Sequence, residues 1–157
     1  MRTLLIVAFS AVIASCSEES PEPPTKWSEQ PLPANIPIKP RWYTQAQVDQ
    51  GETLFRKNCA ICHGQNAEGT SDWKKRDTEG FLPPPPLNGT AHAWHHSRDI
   101  LRKVVREGGA NFGGKMPGFM NLLTDQQIDN IIAWLQSHWG DETYRRWQII
   151  DEQSRAF

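Results

Sequence analysis

Three stretches of this chain repeat apolar residues at intervals of three and four, the spacing that places side chains on one face of an α-helix. Each stretch follows a residue suited to cap a helix N-terminus, namely Thr44, Ser97 or Thr124. Gln47 and Gln127 stand three positions after the two threonines and complete capping boxes. The apolar faces consist of Val48, Gly51, Leu54 and Phe55, then Ile100, Leu101, Val104 and Val105, then Ile128, Ile131, Ile132 and Leu135. The pattern therefore predicts three amphipathic helices.

Gly-rich and Pro-rich stretches without an alternating strand pattern separate these helices, so we expect an all-α fold with long loops. Gly51 lies in the middle of the first helix, where glycine costs about 1 kcal/mol relative to alanine, which suggests close approach by another element. Beyond the third helix, Tyr144, Trp147 and Ile150 are spaced like one face of a further helix. We expect this extension, residues 139–157, to pack on the domain, with a partner-binding surface as the alternative.

The N-terminal residues have the pattern of an export signal. A short basic start precedes the apolar run Leu4–Ala14, which is too short to span a bilayer. The run ends in Ile13-Ala14-Ser15-Cys16, which resembles the lipobox of bacterial lipoproteins. We therefore expect residues 1–15 to be a signal peptide and Cys16 to carry a lipid anchor. An ordinary signal peptide that leaves Cys16 as a spare thiol is the alternative.

Residues 16–40 are predicted to form an extended tether. Seven of the twelve prolines fall between Ser17 and Pro40, and the segment has too little apolar content to fold alone. At about 3.1 Å per residue, the tether would reach on the order of 70 Å from the membrane. One domain, residues 41–138, follows it. The chain has 17 basic and 18 acidic side chains, a formal charge of −1, so nucleic acid is not an expected partner.

Cys59-Ala60-Ile61-Cys62-His63 is the motif that carries chemistry. C-x-x-C-H is the attachment site of c-type haem, in which two thiols form thioether bonds to one haem and the histidine binds its iron. Export agrees with this interpretation, because bacteria attach such haem outside the cytoplasm. No second C-x-x-C completes a zinc site, and no βαβ pattern favours a thioredoxin-like motif. With Cys16 on lipid, none of the three cysteines remains for a disulfide.

Met116 is the predicted second axial ligand of the haem iron. It lies in a loop rich in glycine and proline, residues 113–119. Its thioether sulfur is a soft, neutral ligand that raises the reduction potential of the iron and leaves no open coordination site. Met120 is the alternative ligand from the same region, although packing or a contact at the haem edge suits it better.

Two polar clusters have alternative interpretations. The first consists of His92, His95 and His96. It would serve a bis-histidine haem or a surface metal site, but a polar loop leading to the Ser97 cap is the simpler interpretation. The second is a basic face on the middle helix and consists of Arg98, Arg102, Lys103 and Arg106. We expect solvation of this face, with a docking patch or a haem propionate partner as the alternative.

The order of these features resembles the class I cytochrome c family over roughly residues 44–138. A helix ending in C-x-x-C-H precedes the loop Pro85-Pro86-Leu87-Asn88-Gly89, a middle helix, Met116-Pro117 and a final amphipathic helix. The resemblance implies that the first and last helices cross around a covalently bound haem c. At that crossing it places Gly51 and Phe55 against Trp134 and Leu135.

The resemblance also implies contacts around the haem. The carbonyl of Pro85 would accept the Nδ1 proton of His63 and fix the ring, with Pro86 as the alternative in a run of four prolines. Leu87 would pack on the haem face. The chain departs from the compact family pattern in a longer charged insertion, residues 64–82, and in the C-terminal extension.

These features predict a membrane-tethered, extracytoplasmic monohaem cytochrome that shuttles single electrons between protein redox partners and is not itself an enzyme. It would lie on the periplasmic side of a bacterial membrane, and Ser17 after the lipid site favours the outer membrane over the inner. One alternative is a haem subunit of a larger oxidoreductase. Another is a haem protein that reacts with gas or peroxide through a labile sixth ligand. A metal-binding lipoprotein without haem is the least favoured.

Overall fold

The computed structural model describes residues 39–156. The predicted signal peptide, Cys16 and nearly all of the predicted tether lie outside these residues. The α-helices are α1 (Gln45–Asn58), α2 (Ala60–His63), α3 (Arg98–Glu107), α4 (Asp125–Ser137) and α5 (Asp141–Ser154), with 3-10 turns at Ala93–His95 and Ala110–Phe112. Apart from one isolated parallel bridge, the regular structure in this range is helical, which confirms the all-α prediction. Within residues 39–156, no helix has the length and apolar character needed to cross a bilayer.

Local cap chemistry fixes where the long helices begin. The Thr44 hydroxyl accepts a hydrogen bond from the backbone N–H of Gln47 at 3.3 Å, and the Gln47 side chain accepts one from the backbone N–H of Thr44 at 3.0 Å. Thr124 and Gln127 repeat this capping box at the start of α4. Ser97 caps α3 through its hydroxyl. The three predicted helix starts are therefore confirmed.

Helix α1 packs directly across α4. A Cβ on Gly51 would lie 1.9 Å from the carbonyl oxygen of Asn130, so only glycine lets the two backbones approach this closely. One turn later, the rings of Phe55 and Trp134 lie 4.3 Å apart between centroids. The buried Asn130 amide donates to Gln50 Oε1 at 2.8 Å, which satisfies one polar group at the contact. The crossing of α1 with the third predicted helix is thus confirmed.

The core cluster lies around the crossing of α1 and α4 and includes Phe55, Ile128, Ile131 and Trp134. The C-terminal extension and the turn at Ala93–His95 form a second buried cluster. Its members are Ala93, Trp94, Trp139, Tyr144 and Trp147. The Trp147 indole N–H donates to the carbonyl of His96 at 3.0 Å, the usual requirement for a buried indole. Tyr144 and Trp147 are both buried, as the prediction that this segment packs on the domain requires. Helix α5, and not the helix that crosses α1, is therefore the last helix of the described chain.

Charged side chains fasten α5 to its surroundings. The guanidinium of Arg41 donates to the carbonyl oxygens of Gln136 at 2.8 Å and Trp139 at 3.0 Å, at the junction of α4 and α5. The buried carboxylate of Asp151 accepts the backbone N–H of Arg98 at 2.7 Å. This contact places a negative charge at the N-terminus of α3, where the helix dipole favours one.

The apolar face of α3 is less buried than predicted. None of the residues of this helix is buried, and Ile100 is 37% exposed. Leu101 and Val105 pack only at the edge of the core cluster. The reason is that α4 is the main element packed against α3, so the apolar face of α3 is covered on one side.

The basic face of α3 is tied to α4 instead of being freely solvated. Arg102 forms a bidentate contact with Asp129, in which Nε donates to Oδ1 at 3.0 Å and Nη2 donates to Oδ2 at 2.9 Å. Arg106 pairs with Asp125 at the start of α4. A planar guanidinium on a carboxylate is the strongest form of such a pair, so these two cations stabilise the α3–α4 contact and are locally neutralised.

Candidate functional site

The C-x-x-C-H motif forms the end of α1 and the short turn α2. Cys59 is buried and Cys62 is exposed, and neither takes part in a disulfide. Burial raises the pKa of the Cys59 thiol to about 11, and the neighbouring Cys62 adds to the shift. A redox-active C-x-x-C pair needs a thiol of lowered pKa. Cys59 does not have this lowered pKa, and the C-x-x-C-H spacing indicates haem attachment as the chemistry of the pair.

His63 is buried and held in one orientation. Its Nδ1 lies 3.1 Å from the carbonyl oxygen of Pro85, so Nδ1 carries the proton and donates it. Within residues 39–156 the ring makes no other hydrogen bond, which leaves Nε2 for a metal. Burial lowers the pKa of His63, and the bond to Pro85 only partly opposes this. The imidazole is thus neutral near pH 7, as a metal ligand must be. The structure gives this contact to Pro85 and not to Pro86.

Two residues that the sequence analysis missed make this contact sterically accessible. Gly69 has φ +62°, and a Cβ there would lie 2.4 Å from the carbonyl carbon of Pro85. Its N–H donates to the carbonyl of His63 at 2.8 Å. Ala67, with φ +55°, accepts the N–H of Leu87 at 2.8 Å. A positive φ is set by the path of the chain, and the only sequence signal for it here is the glycine itself.

Leu87 links the motif to the C-terminal extension. It is half-buried and packs against both buried clusters. Its carbonyl accepts the indole N–H of Trp139 at 2.9 Å, and the backbone turns at Gly89, with φ +91°, against the Trp139 ring. The extension therefore supports the loop that orients His63. No pattern in the sequence indicates this role for Trp139.

Met116 lies on a loop that runs along the C-terminal end of α3. It is half-buried, and its carbonyl accepts the N–H of Gly109 at 2.9 Å. Three residues later, the N–H of Phe119 donates to the carbonyl of Val105 at 2.9 Å. Neither buried cluster includes Met116. Met120 is 55% exposed, which suits a ligand less well.

The histidine cluster packs against aromatic rings. His92 stacks on Trp73 with 4.9 Å between ring centroids, and His95 meets the edge of Trp94 at 3.8 Å. Burial lowers the pKa of His92 and of His96. In the described part of the chain, no group of three or more His, Cys, Asp or Glu side chains is arranged to hold a metal ion, so these contacts lend no support to a surface metal site at the histidine cluster.

The residues around the motif fit a covalently bound haem. The two thiols stand at the required spacing, and His63 presents a neutral ring with Nε2 left for iron. The apolar face of α3 is only partly covered by protein, which suits a flat apolar group packed against it. Together with the crossing of α1 and α4, these features define a class I monohaem cytochrome c.

Comparison with known proteins supports this class and gives the family. The family model described as cytochrome c oxidase, cbb3-type, subunit III matches residues 46–135, more than half of the chain. The chain therefore belongs to this family. Its cofactor is covalently bound haem c, and it is an electron-transfer haem protein.

Three relatives show how such a domain occurs elsewhere. The cbb3-type cytochrome c oxidase subunit FixP of Sinorhizobium medicae is 29% identical over 59% of this chain and 30% of its own length. The cytochrome c subunit of a quinone alcohol dehydrogenase of Gluconobacter oxydans is 28% identical over 60% of this chain and 19% of its own length. The dehydrogenase subunit of a quinone alcohol dehydrogenase of Komagataeibacter europaeus is 28% identical over 89% of this chain and 17% of its own length. The chain thus spans less than a third of each relative. No solved structure shows significant similarity to it.

Proposed function

We propose that this chain is a membrane-tethered, extracytoplasmic monohaem cytochrome that shuttles single electrons between protein redox partners. Cys59 and Cys62 would attach the haem, and His63 and Met116 would bind its iron. The observation that carries the proposal is the buried, neutral His63 ring, whose Nδ1 is bonded to Pro85. The iron, when bound, supplies one-electron exchange between its ferric and ferrous states.

The protein side chains keep the site rigid and apolar. The Pro85 carbonyl holds the His63 ring and raises its basicity as a ligand. Leu87 packs against the buried cluster that contains Cys59 and Ala60, and with haem bound it would help to keep water from the same region. Because the carbonyl, the ring and the loop backbone are joined by hydrogen bonds, a change of charge on the iron would require little movement of the protein.

A haem subunit of a larger oxidoreductase is the second candidate. The names of the relatives support it, because one is a subunit of a cbb3-type oxidase and another is the cytochrome c subunit of a quinone alcohol dehydrogenase. The packing of Tyr144 and Trp147 in the core weakens the idea that these aromatic residues form a partner surface. Isolation of the native protein with or without a stoichiometric partner distinguishes a free carrier from a subunit.

Carbon monoxide distinguishes electron transfer from a gas-reactive or peroxide-reactive function. We expect the ferrous holoprotein not to bind CO at neutral pH, because Met116 sulfur would occupy the sixth position. The ferric form should show the weak far-red charge-transfer band of sulfur ligation. Absorption spectra before and after CO addition measure both. Rapid, stoichiometric CO binding by the unaltered protein would contradict the His/Met proposal and support a labile sixth ligand.

Membrane attachment through Cys16 is a separate proposal. It rests on Ile13-Ala14-Ser15-Cys16, and we further propose the periplasmic face of the outer membrane because Ser17 follows. Cys16→Ser should release the holoprotein from the membrane fraction into the soluble periplasmic fraction, because the serine hydroxyl cannot form the thioether bond to the lipid. Haem content should not change, which serves as the internal control. Unaltered partitioning of the variant would rule the anchor out.

A further inference from the structure

The charged insertion contains a turn that Asp77 holds together. Its Oδ1 accepts the backbone N–H groups of Glu79 and Phe81, each at 2.9 Å. Its own backbone N–H donates to the carbonyl of Phe81 at 2.8 Å. One carboxylate oxygen and the peptide of the same residue thereby close the turn, and the second oxygen, Oδ2, remains for another partner.

The same turn is joined to the loop that carries Met116. Oδ2 of Asp77 lies 3.0 Å from Nζ of Lys115, and Oε2 of Glu79 lies 2.7 Å from it. The Lys115 ammonium also lies 4.8 Å from the centroid of the Phe81 ring. Lys115 immediately precedes Met116 in the chain, so these contacts act on the backbone next to the proposed ligand.

Backbone hydrogen bonds continue the connection. The N–H of Leu82 donates to the carbonyl of Gly113 at 2.8 Å, and Leu82 forms a parallel bridge with Gly114. On its opposite side, the N–H of Gly114 donates to the carbonyl of Gly109 at 3.1 Å. Residues 113–116 therefore lie between the insertion and the turn that follows α3, and backbone hydrogen bonds hold them on both sides.

We propose that the turn at residues 77–82 is a clamp that holds the Met116 loop closed and thereby keeps the sulfur on the iron. The inference rests on the proposed His/Met ligation. Single exposed ion pairs contribute little, but here one ammonium meets two carboxylates and a ring, and the backbone bridge is adjacent. The insertion is thus a positioning element for the sixth ligand, and Asp77 is its central positioning residue.

Imidazole binding to the ferric holoprotein measures how firmly the clamp holds the Met116 loop closed. Imidazole can bind only after Met116 leaves the iron, so its apparent affinity reports how often the loop opens. Asp77→Ala should raise the apparent imidazole affinity about fivefold, because it removes both the turn contacts and the Lys115 partner. Asp77→Asn keeps the Oδ1 acceptor and should give a smaller rise. If Asp77→Ala does not fold, Glu79→Gln and Lys115→Gln test the Lys115 contacts of the clamp and should each raise the apparent imidazole affinity by a smaller factor.

Asp72→Ala is the matched control. Asp72 forms an exposed ion pair with Lys75 in the same insertion, at 3.1 Å, but the pair does not reach the Met116 loop. Imidazole affinity should stay at the level of the unaltered protein. Hydrogen exchange gives a second readout, in which the amides of Leu82 and Gly114 should exchange faster in Asp77→Ala and not in Asp72→Ala.

The outcomes separate the clamp from the ligation itself. If the unaltered protein shows the sulfur band but Asp77→Ala changes neither imidazole affinity nor amide exchange, the proposed clamp is wrong and Met116 remains the proposed ligand. If the unaltered protein lacks the band while exchange still rises in Asp77→Ala, the turn holds the loop but not a ligand, and the proposed ligation fails. An equal rise in Asp72→Ala would assign the effect to the charge of the whole insertion and overturn the proposal.

Discussion

Met116→Ala should abolish the far-red charge-transfer band of the ferric holoprotein and allow the ferrous form to bind CO. Alanine has no donor atom, so the sixth coordination position would be left to exogenous ligands. Loss of the sulfur should also lower the reduction potential by on the order of 0.1 V, a part of the ~0.8 V range that axial ligands control. Absorption spectroscopy with CO addition and a redox titration measure these three effects.

Met120→Ala is the control for this experiment. Met120 is the same residue type, four positions later, and is 55% exposed, so its removal should leave the band, the CO behaviour and the potential unchanged. A band that survives Met116→Ala but disappears in Met120→Ala would move the ligand to Met120. A band that is present and survives both substitutions would show that the sulfur assignment is incorrect for either residue.

The helix starts could be predicted because their causes are local. Thr44 and Thr124 each satisfy backbone N–H groups through a hydroxyl and a glutamine three residues away, and no distant residue is needed for that bond. Gly51 was also informative, because a glycine inside an amphipathic helix destabilises the helix and usually indicates close contact with another element. For the site, C-x-x-C-H is a contiguous motif, so its chemistry could be predicted without the fold.

The support around the site could not be predicted in the same way, because it depends on the path of the chain. The Pro85 carbonyl that bonds to His63 lies against Gly69, where a Cβ would clash with the Pro85 backbone and φ is positive. The Trp139 indole bonds to the carbonyl of Leu87, 52 residues earlier, and helical periodicity contains no information about such a pair. Even the resemblance left Pro85 and Pro86 as alternatives, since adjacent prolines differ only in where the backbone turns.

The misjudged burial of α3 has a related cause. Periodicity identifies which side of a helix is apolar but not what covers it. In α3 the apolar side packs partly on α4, and the basic side is bound to α4 through Arg102 and Asp129. A charged stripe that looks solvated in the sequence thus contributes to the helix contact, whereas part of the apolar stripe stays exposed to solvent.

Gly51→Ala should destabilise the holoprotein by on the order of 3 kcal/mol. The added Cβ would lie 1.9 Å from the Asn130 carbonyl oxygen and 2.9 Å from the Cβ of Trp134. Because the nearest atom belongs to the backbone of α4, no side-chain rotation relieves the clash, and the two helices must separate. Alanine favours the helix by about 1 kcal/mol relative to glycine. The expected loss of stability is therefore due to the steric clash at the helix crossing and not to helix propensity.

Denaturant unfolding of the holoprotein, followed by far-ultraviolet circular dichroism, measures this loss. Gly140→Ala is the matched control, since a Cβ there meets nothing within 4 Å and the residue has an ordinary φ of −57°. The control should cost about 1 kcal/mol or less, the effect of alanine at a helix N-cap. If the Gly51→Ala protein is as stable as the original, the close crossing of α1 and α4 is refuted, because the added Cβ would then cause no steric clash large enough to destabilise the protein.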